Sequence, residues 1–266
     1  MSKVAILAFA LLICPLLNSV RADDLAPGAT LRAVFLAGNP AQAVRDPTRG
    51  EYRGAAVDLA AELAKRHGLP LKMIPSANPN AVIEAVAKGD ADIGFVAFAP
   101  ERVGSVAFSQ VYMLVQQSFI VPDISRIKSV KDIDAADLRI AAGAGDSITL
   151  YLKRKLKQAK LVETDNTPAD AKRRFEAGEI DAFGANRQRL TTMLKDMPRY
   201  RILPDSLFGV PQTIIVPKDK PEVLASVNRF IDDARSSGLL QSAIEKSGIV
   251  GLSAAPGGSW TPSVAD

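Results

Sequence analysis

A strand–helix–strand–helix–strand pattern runs twice along this chain, and few folds accommodate that. In the first run, Leu31–Leu36 reads as a strand. Ala55–Arg66 follows as a helix, with Val57, Leu59, Ala60, Leu63 and Ala64 at helical spacing and Gly68 placed to end it. Leu71–Ile74 is a second strand, 80–88 a helix stopped by Gly89, and Ile93–Val96 a third strand. The second run repeats this with a strand at 138–142, a helix from Ser147 to Leu156, a strand at 160–163, a helix at 168–176 and a strand at 180–184. Similar punctuation precedes both third strands: Gly89-Asp90-Ala91-Asp92-Ile93 and Gly178-Glu179-Ile180-Asp181-Ala182. Alternation of this kind specifies an α/β class of two similar halves, each an open sheet flanked by helices. Apolar Tyr112–Val121 leaves the first half, and Thr213–Val216 is a further strand. Helices are predicted at 221–236, with proline at its start and Gly238 after its end, and at 239–246. Ser253–Asp266 reads as a flexible tail.

The N-terminus sets the compartment. A short basic start is followed by a nearly unbroken apolar run, Val4–Val20, and Val20-Arg21-Ala22 offers tolerated residues for a signal peptidase. Residues 1–22 therefore read as a secretory signal peptide. A membrane anchor is the alternative, for which the run is short and interrupted by Pro15. The one cysteine, Cys14, lies inside this segment, behind a bulky Ile13 that suits lipidation poorly. Cleavage at 22 removes Lys3 and Arg21 and no acid, leaving 31 basic against 29 acidic residues. These are interleaved, so no nucleic-acid patch is expected. With no cysteine in the mature chain and one histidine, His67, at a helix end, no metal centre and no cofactor motif is expected.

Gly54-Ala-Ala-Val-Asp-Leu-Ala-Ala-Glu-Leu-Ala64, Val82-Ile83-Glu84-Ala85, Lys88–Asp92, Ala99-Pro100-Glu101-Arg102 and Phe108–Tyr112 stand in an order that resembles the extracellular solute-binding proteins of family 3. Those are the type II periplasmic binding proteins of ABC importers. The resemblance continues through Gly145-Asp146-Ser147, Tyr151-Leu152-Lys153 and Ala177–Ala182, and covers about residues 30 to 250. It implies two lobes: lobe 1 from 29–118 plus 210–252, lobe 2 from 119–209. A two-strand hinge near Gln117–Val121 and Leu207–Thr213 would join them, with a ligand cleft between. It also implies a periplasmic location, a monomer, a small-molecule ligand and a membrane permease as partner. No residue is assigned a catalytic role. Cyclohexadienyl dehydratases resemble the same family, so an enzyme on this scaffold is the alternative; Asp146 and Glu101 would be its nearest acids, without a paired arrangement.

The resemblance places Arg102 where family members hold a ligand carboxylate, a fit for a planar guanidinium; a solvated surface arginine is the bland reading. Gly145, Asp146 and Ser147 lie at a strand-to-helix turn whose backbone N–H groups can hold an anion or simply be capped. The departures are informative. Asn186 stands where amino-acid binders carry an aspartate for the ligand ammonium. Asn39 and Gln42 replace an aromatic platform, and Ala97 and Ala99 replace two threonines. With Gln212, these amides suit a carboxylate or hydroxyl- or carbonyl-bearing solute without a strong cationic end, though each amide is equally suited to a turn. Phe98 would supply apolar wall. Arg187 either adds positive charge beside Asn186 or faces solvent.

Overall fold

The computed structural model describes residues 22–257 apart from Gly38 and Asn166. The segment read as a signal, up to residue 21, and the end of the tail, from 258, lie outside the described residues. A turn of helix, α1 (Ala22–Leu25), precedes strand β1 (Leu31–Leu36). A small hairpin, β2 (Val44–Arg45) and β3 (Tyr52–Arg53), leads into helix α2 (Ala55–Arg66), strand β4 (Leu71–Ser76), helix α3 (Pro79–Ala87) and strand β5 (Ile93–Ala97). A 3-10 turn, Pro100–Arg102, and strand β6 (Val106–Phe108) come before the long strand β7 (Met113–Pro122). The pattern then restarts with β8 (Arg139–Gly143), α4 (Ser147–Lys155), β9 (Lys160–Thr164), α5 (Pro168–Glu176) and β10 (Ala182–Asn186). Helix α6 (Arg187–Leu194) and strand β11 (Tyr200–Ile202) follow. The chain returns through β12 (Phe208–Pro217), α7 (Pro221–Ser236), α8 (Leu239–Ser247) and β13 (Leu252–Ala254).

Strand order is β4-β1-β5-β12-β7-β10-β8-β9. Strands β4, β1 and β5 are parallel to one another, as are β9, β8 and β10. The two parallel groups are the halves read in the sequence, and β7 and β12 run antiparallel between them. Each half is covered on both faces, so its strands alternate between two apolar layers. In the first, Leu31, Ala33 and Phe35 of β1 share a layer with α2, α7 and α8 through Leu59, Leu63, Val227, Phe230 and Leu240, while Val34 faces α3 through Val82 and Val86. In the second, Phe119 and Val121 of β7 face Ile148 and Leu152 of α4, and Ile120 faces Phe175, Leu190 and Met193.

The repeated punctuation has a physical cause. Asp92, at the foot of β5, accepts hydrogen bonds from the Arg32 backbone N–H at 2.8 Å, its Nε at 3.1 Å and its Nη2 at 2.7 Å. Asp181, at the foot of β10, accepts from the same three groups of Arg139, at 2.8, 3.0 and 3.0 Å. One carboxylate thus clamps the first and third strands of each half. Arg139 is held above its ordinary pKa first by this hydrogen bond, as Arg32 is by Asp92.

Gly184 marks where α4 approaches its sheet. A Cβ there would lie 2.7 Å from both Ile148 Cδ1 and Phe119 Cε1. Gly184→Ala is expected to overpack this layer by about 2 kcal/mol. That corresponds to a Tm lower by roughly 4–8 °C for a chain of this size, read by circular dichroism; an unchanged Tm would mean the layer yields freely.

The crossing between halves departs from expectation. Met113–Gln117 pair with Phe208–Gln212. The first crossing therefore lies up-chain of the expected 117–121, because Phe119, Ile120 and Val121 pair with β10 and β11 inside the second half. The C-terminal stretch departs as well: beside the two connecting strands, Leu252, Ser253 and Ala254 pair with Val115, Leu114 and Met113. The stretch read as tail from Ser253 therefore begins as a strand, and Ala255 is buried with its N–H on the Tyr112 carbonyl at 3.0 Å.

Candidate functional site

In an open α/β sheet, ligands collect beyond the carboxyl ends of the strands, where neighbouring connections leave in opposite directions. Both halves have such a point. From β1 the chain leaves through α2 to β4 on one side, and β5 lies on the other. From β8 it leaves through α4 to β9, and β10 lies on the other side. The carboxyl ends of β5 and β10 point towards each other along the crossing strands. The last row of the first half is Ala97–Gln212–Met113, and the first row of the second is Asn186–Gln117–Phe208. The rows lie four steps apart on β7, from Met113 to Gln117, about 14 Å at the rise of an antiparallel strand. That spacing suits a small molecule.

On the first wall, Arg102 ends the turn after β5, and its Nη1 donates to the Ala97 carbonyl at 2.7 Å. Phe98 donates its N–H to the Pro211 carbonyl at 2.9 Å and packs edge-on against Phe108, with centroids 5.3 Å apart. Asn39 lies in the turn after β1, where its Oδ1 accepts from the Ala41 N–H at 3.1 Å. Gln42 is buried; its Oε1 accepts from the Leu36 N–H at 2.9 Å and its Nε2 donates to Gln212 Oε1 at 3.4 Å. Gln212 is buried too and donates to the Val210 carbonyl at 3.4 Å. The amides read as ligand donors are therefore engaged with each other and with backbone. Gln42 and Gln212 tie the β1 turn to the crossing strand behind the site, and Asn39 shapes the turn.

On the second wall, Gly145 takes a left-handed φ of 78°, which lets the chain turn from β8 into α4. Ser147 is the first residue of α4, and Asp146 precedes it without a side-chain cap. The Asp146 carboxylate instead meets Arg189 Nη1 at 3.3 Å. Asn186 ends β10 and caps α6, its Oδ1 accepting from the Arg189 N–H at 2.8 Å. Arg189 thus joins the two turns of this wall, through its backbone to Asn186 and through its guanidinium to Asp146. The guanidinium also lies over the Phe183 ring, 5.5 Å from its centroid. Burial pulls its pKa below the ordinary value, opposed by Asp146 and Asp165. The pairing balances the negative charge that Asp146 would otherwise present to an anion.

Arg187 is half-buried, with its guanidinium turned onto the 203–206 segment. Its Nη2 donates to the carbonyls of Leu203, Pro204 and Asp205, and its Nε to Ser206 Oγ. Sequence reasoning missed Arg189. The signal was present: Leu190, Met193 and Leu194 follow an Asn cap at helical spacing. It also missed Gln188, whose side-chain nitrogen and oxygen are both buried without a hydrogen-bond partner. Among the described residues, no group of three or more His, Cys, Asp or Glu could hold a metal ion, and no helix is long and apolar enough to cross a membrane.

The family model for bacterial extracellular solute-binding proteins, family 3, matches residues 31–248, which takes in both walls and the crossing. The chain belongs to that family. This family 3 chain is 28% identical over 176 residues to a glutamine-binding protein of Geobacillus stearothermophilus, a match spanning 64% of this chain and 66% of the relative. Its fold is that of solved family relatives. A structure described as a binding component of an ABC transporter from Wolinella succinogenes, complexed with lysine, superposes with a TM-score of 0.65 at 26% identity, covering 82% of this chain and 95% of that one. An ancestral amino acid-binding protein, described as a precursor of cyclohexadienyl dehydratase, superposes at 0.62 with 26% identity, covering 85% and 97%. Two lobes joined by crossing strands are therefore the architecture of this family 3 chain.

Proposed function

We propose that this chain is the solute-capturing component of an ABC-type importer in the periplasm. Exported through residues 1–22, it acts as a monomer and delivers its cargo to a membrane permease. The lobe boundaries fall in the rows 113–117 and 208–212. One observation carries the reading: two sets of strand carboxyl ends face each other across about 14 Å of hinge, with Arg102 on one and Asn186 and the Asp146–Arg189 pair on the other. A solute touching both walls favours the closed form, since only that form makes all the contacts.

The cargo is a small polar solute bearing a carboxylate. Arg102 offers a guanidinium, while Asn186 brings no charge to balance an ammonium. A thermal-shift screen with succinate, L-glutamine, L-lysine and glucose tests this. A ligand at about a hundred times its Kd stabilises the native state by about 2.7 kcal/mol, or roughly 5–11 °C in Tm at this size. Succinate or a like acid should give the larger shift; a shift with L-lysine alone would contradict the assignment. Asn186→Asp keeps an equally good helix cap and should leave the Tm of the unliganded protein within about 1 °C, since the cap is conserved. It should move preference towards ammonium-bearing ligands in the same screen. An unchanged preference would show that position 186 does not meet the ligand.

The ancestral neighbour described as a dehydratase precursor gives a second reading, catalysis on the same scaffold. Turnover of prephenate by the purified protein would favour it over capture.

A further inference from the structure

Gly251, just before the last strand, lies against Arg187 of the second lobe. Strand β12 occupies one edge of β7, so β13, which pairs with the same residues of β7, must lie on the other edge, the one β10 uses. Along that edge β10 ends at Asn186 opposite Gln117, and β13 begins at Leu252 opposite Val115. Between them the Gln116 N–H donates to the Gly251 carbonyl at 2.8 Å. The end of lobe 2's strand and the start of the C-terminal strand therefore abut, end to end, along the hinge.

The junction is packed without slack. Gly251 has φ 74°, and a Cβ there would lie 2.5 Å from Arg187 Cβ, 3.1 Å from its Cδ and 3.2 Å from its Cγ. Neither side can easily give way. Arg187 is fastened to three carbonyls and a hydroxyl of 203–206. The C-terminal strand is fastened to the crossing strand and to lobe 1: Ser253 Oγ accepts from Gln116 Nε2 at 2.9 Å, and the Ala255 carbonyl accepts from Arg235 Nε of α7 at 3.1 Å.

We propose that Gly251 is a positioning residue for lobe closure: its missing side chain lets lobe 2 approach lobe 1 at Arg187, next to the wall residue Asn186, and so sets how far the hinge closes. The junction lies in the interval between the facing carboxyl ends, where closure shortens the separation. An atom added there acts as a spacer and favours the open form.

Gly248 supplies the control. It has a similar left-handed φ of 64°, but a Cβ there meets nothing within 4 Å. Gly248→Ala therefore carries backbone strain alone, and Gly251→Ala strain plus the collision. Nitroxide labels at Lys88→Cys and Arg154→Cys, both exposed positions on opposite lobes, in a Cys14→Ser background, report the interlobe distance by pulsed electron resonance without any ligand. Gly251→Ala is expected to shift the distribution to longer distances, with Gly248→Ala matching the parent. Gly251→Asn, whose side chain tolerates the left-handed conformation, should shift it in the same direction, and it keeps the test valid if Gly251→Ala does not fold. Distributions for the two Gly251 variants that coincide with that of Gly248→Ala, or that move to shorter distances, would overturn the proposal. Because the measurement uses no solute, its outcome is independent of which ligand the cleft takes.

Discussion

Arg102→Ala should weaken binding of the solute identified by thermal shift more than tenfold, with the unliganded protein's Tm falling by no more than about 4 °C. A charge-assisted hydrogen bond to a carboxylate contributes about 1.5–3 kcal/mol, and each 1.4 kcal/mol is a factor of ten in affinity. The small change in Tm follows from position. Arg102 is only partly buried in a 3-10 turn, and within the lobe its hydrogen bond to the Ala97 carbonyl fixes the side chain without supporting a core layer. Arg102→Lys should fall between, since an ammonium keeps the charge and loses the planar fork. Isothermal titration measures all three proteins; equal affinities would remove Arg102 from the site.

Asp92→Ala carries the largest expected cost in stability. The Asp92 side chain is 4% exposed, and both its oxygens are engaged by Arg32. Removing it leaves the Arg32 backbone N–H and guanidinium without their carboxylate at the junction of β1 and β5. Breaking a buried pair in this way costs about 3–5 kcal/mol. The lower figure applies here because the Arg32 side chain is 32% exposed and water can reach it. About 3 kcal/mol corresponds to a Tm lower by roughly 6–12 °C. Asp181→Ala, the matching change in the second lobe, should cost about half as much, because Asp181 is 29% exposed and its charge is better screened. Denaturant titration of both variants tests the comparison. Equal, negligible losses would mean the clamps are decorative.

Those two clamps also show what the sequence could reveal. The acid before the third strand was visible in both halves because it is a local motif; its partners Arg32 and Arg139, 60 and 42 residues away, were not. The central strands were legible because burial on both faces leaves continuous apolar runs at 93–97 and 140–143. Helix α6 was overlooked because Arg187-Gln188-Arg189-Leu190-Thr191-Thr192-Met193-Leu194 has few apolar positions and follows Asn186, whose capping role was hidden by its expected ligand role. Strand β13 was illegible because its three residues lie in a Gly-, Ser- and Pro-rich stretch and take their structure from Val115 and its neighbours, far away in sequence. Within Met113–Val121 the polar stretch Gln116-Gln117-Ser118 stands where β7 exchanges partners, but it does not say which distant strands lie on either side. For the site, the family resemblance pointed to Arg102 and Asn186 and the strand-to-helix turn to Gly145 and Ser147, whereas the mutual bonding of Gln42 and Gln212 and the Asp146–Arg189 pair depend on elements brought together by the fold.

A hinged pair of lobes that traps its cargo must become more compact when loaded. Small-angle X-ray scattering of the protein, alone and saturated with the strongest binder from the thermal-shift screen, reads this directly. The radius of gyration should fall on saturation in the wild-type protein. A bound solute that leaves the radius unchanged would contradict capture by closure.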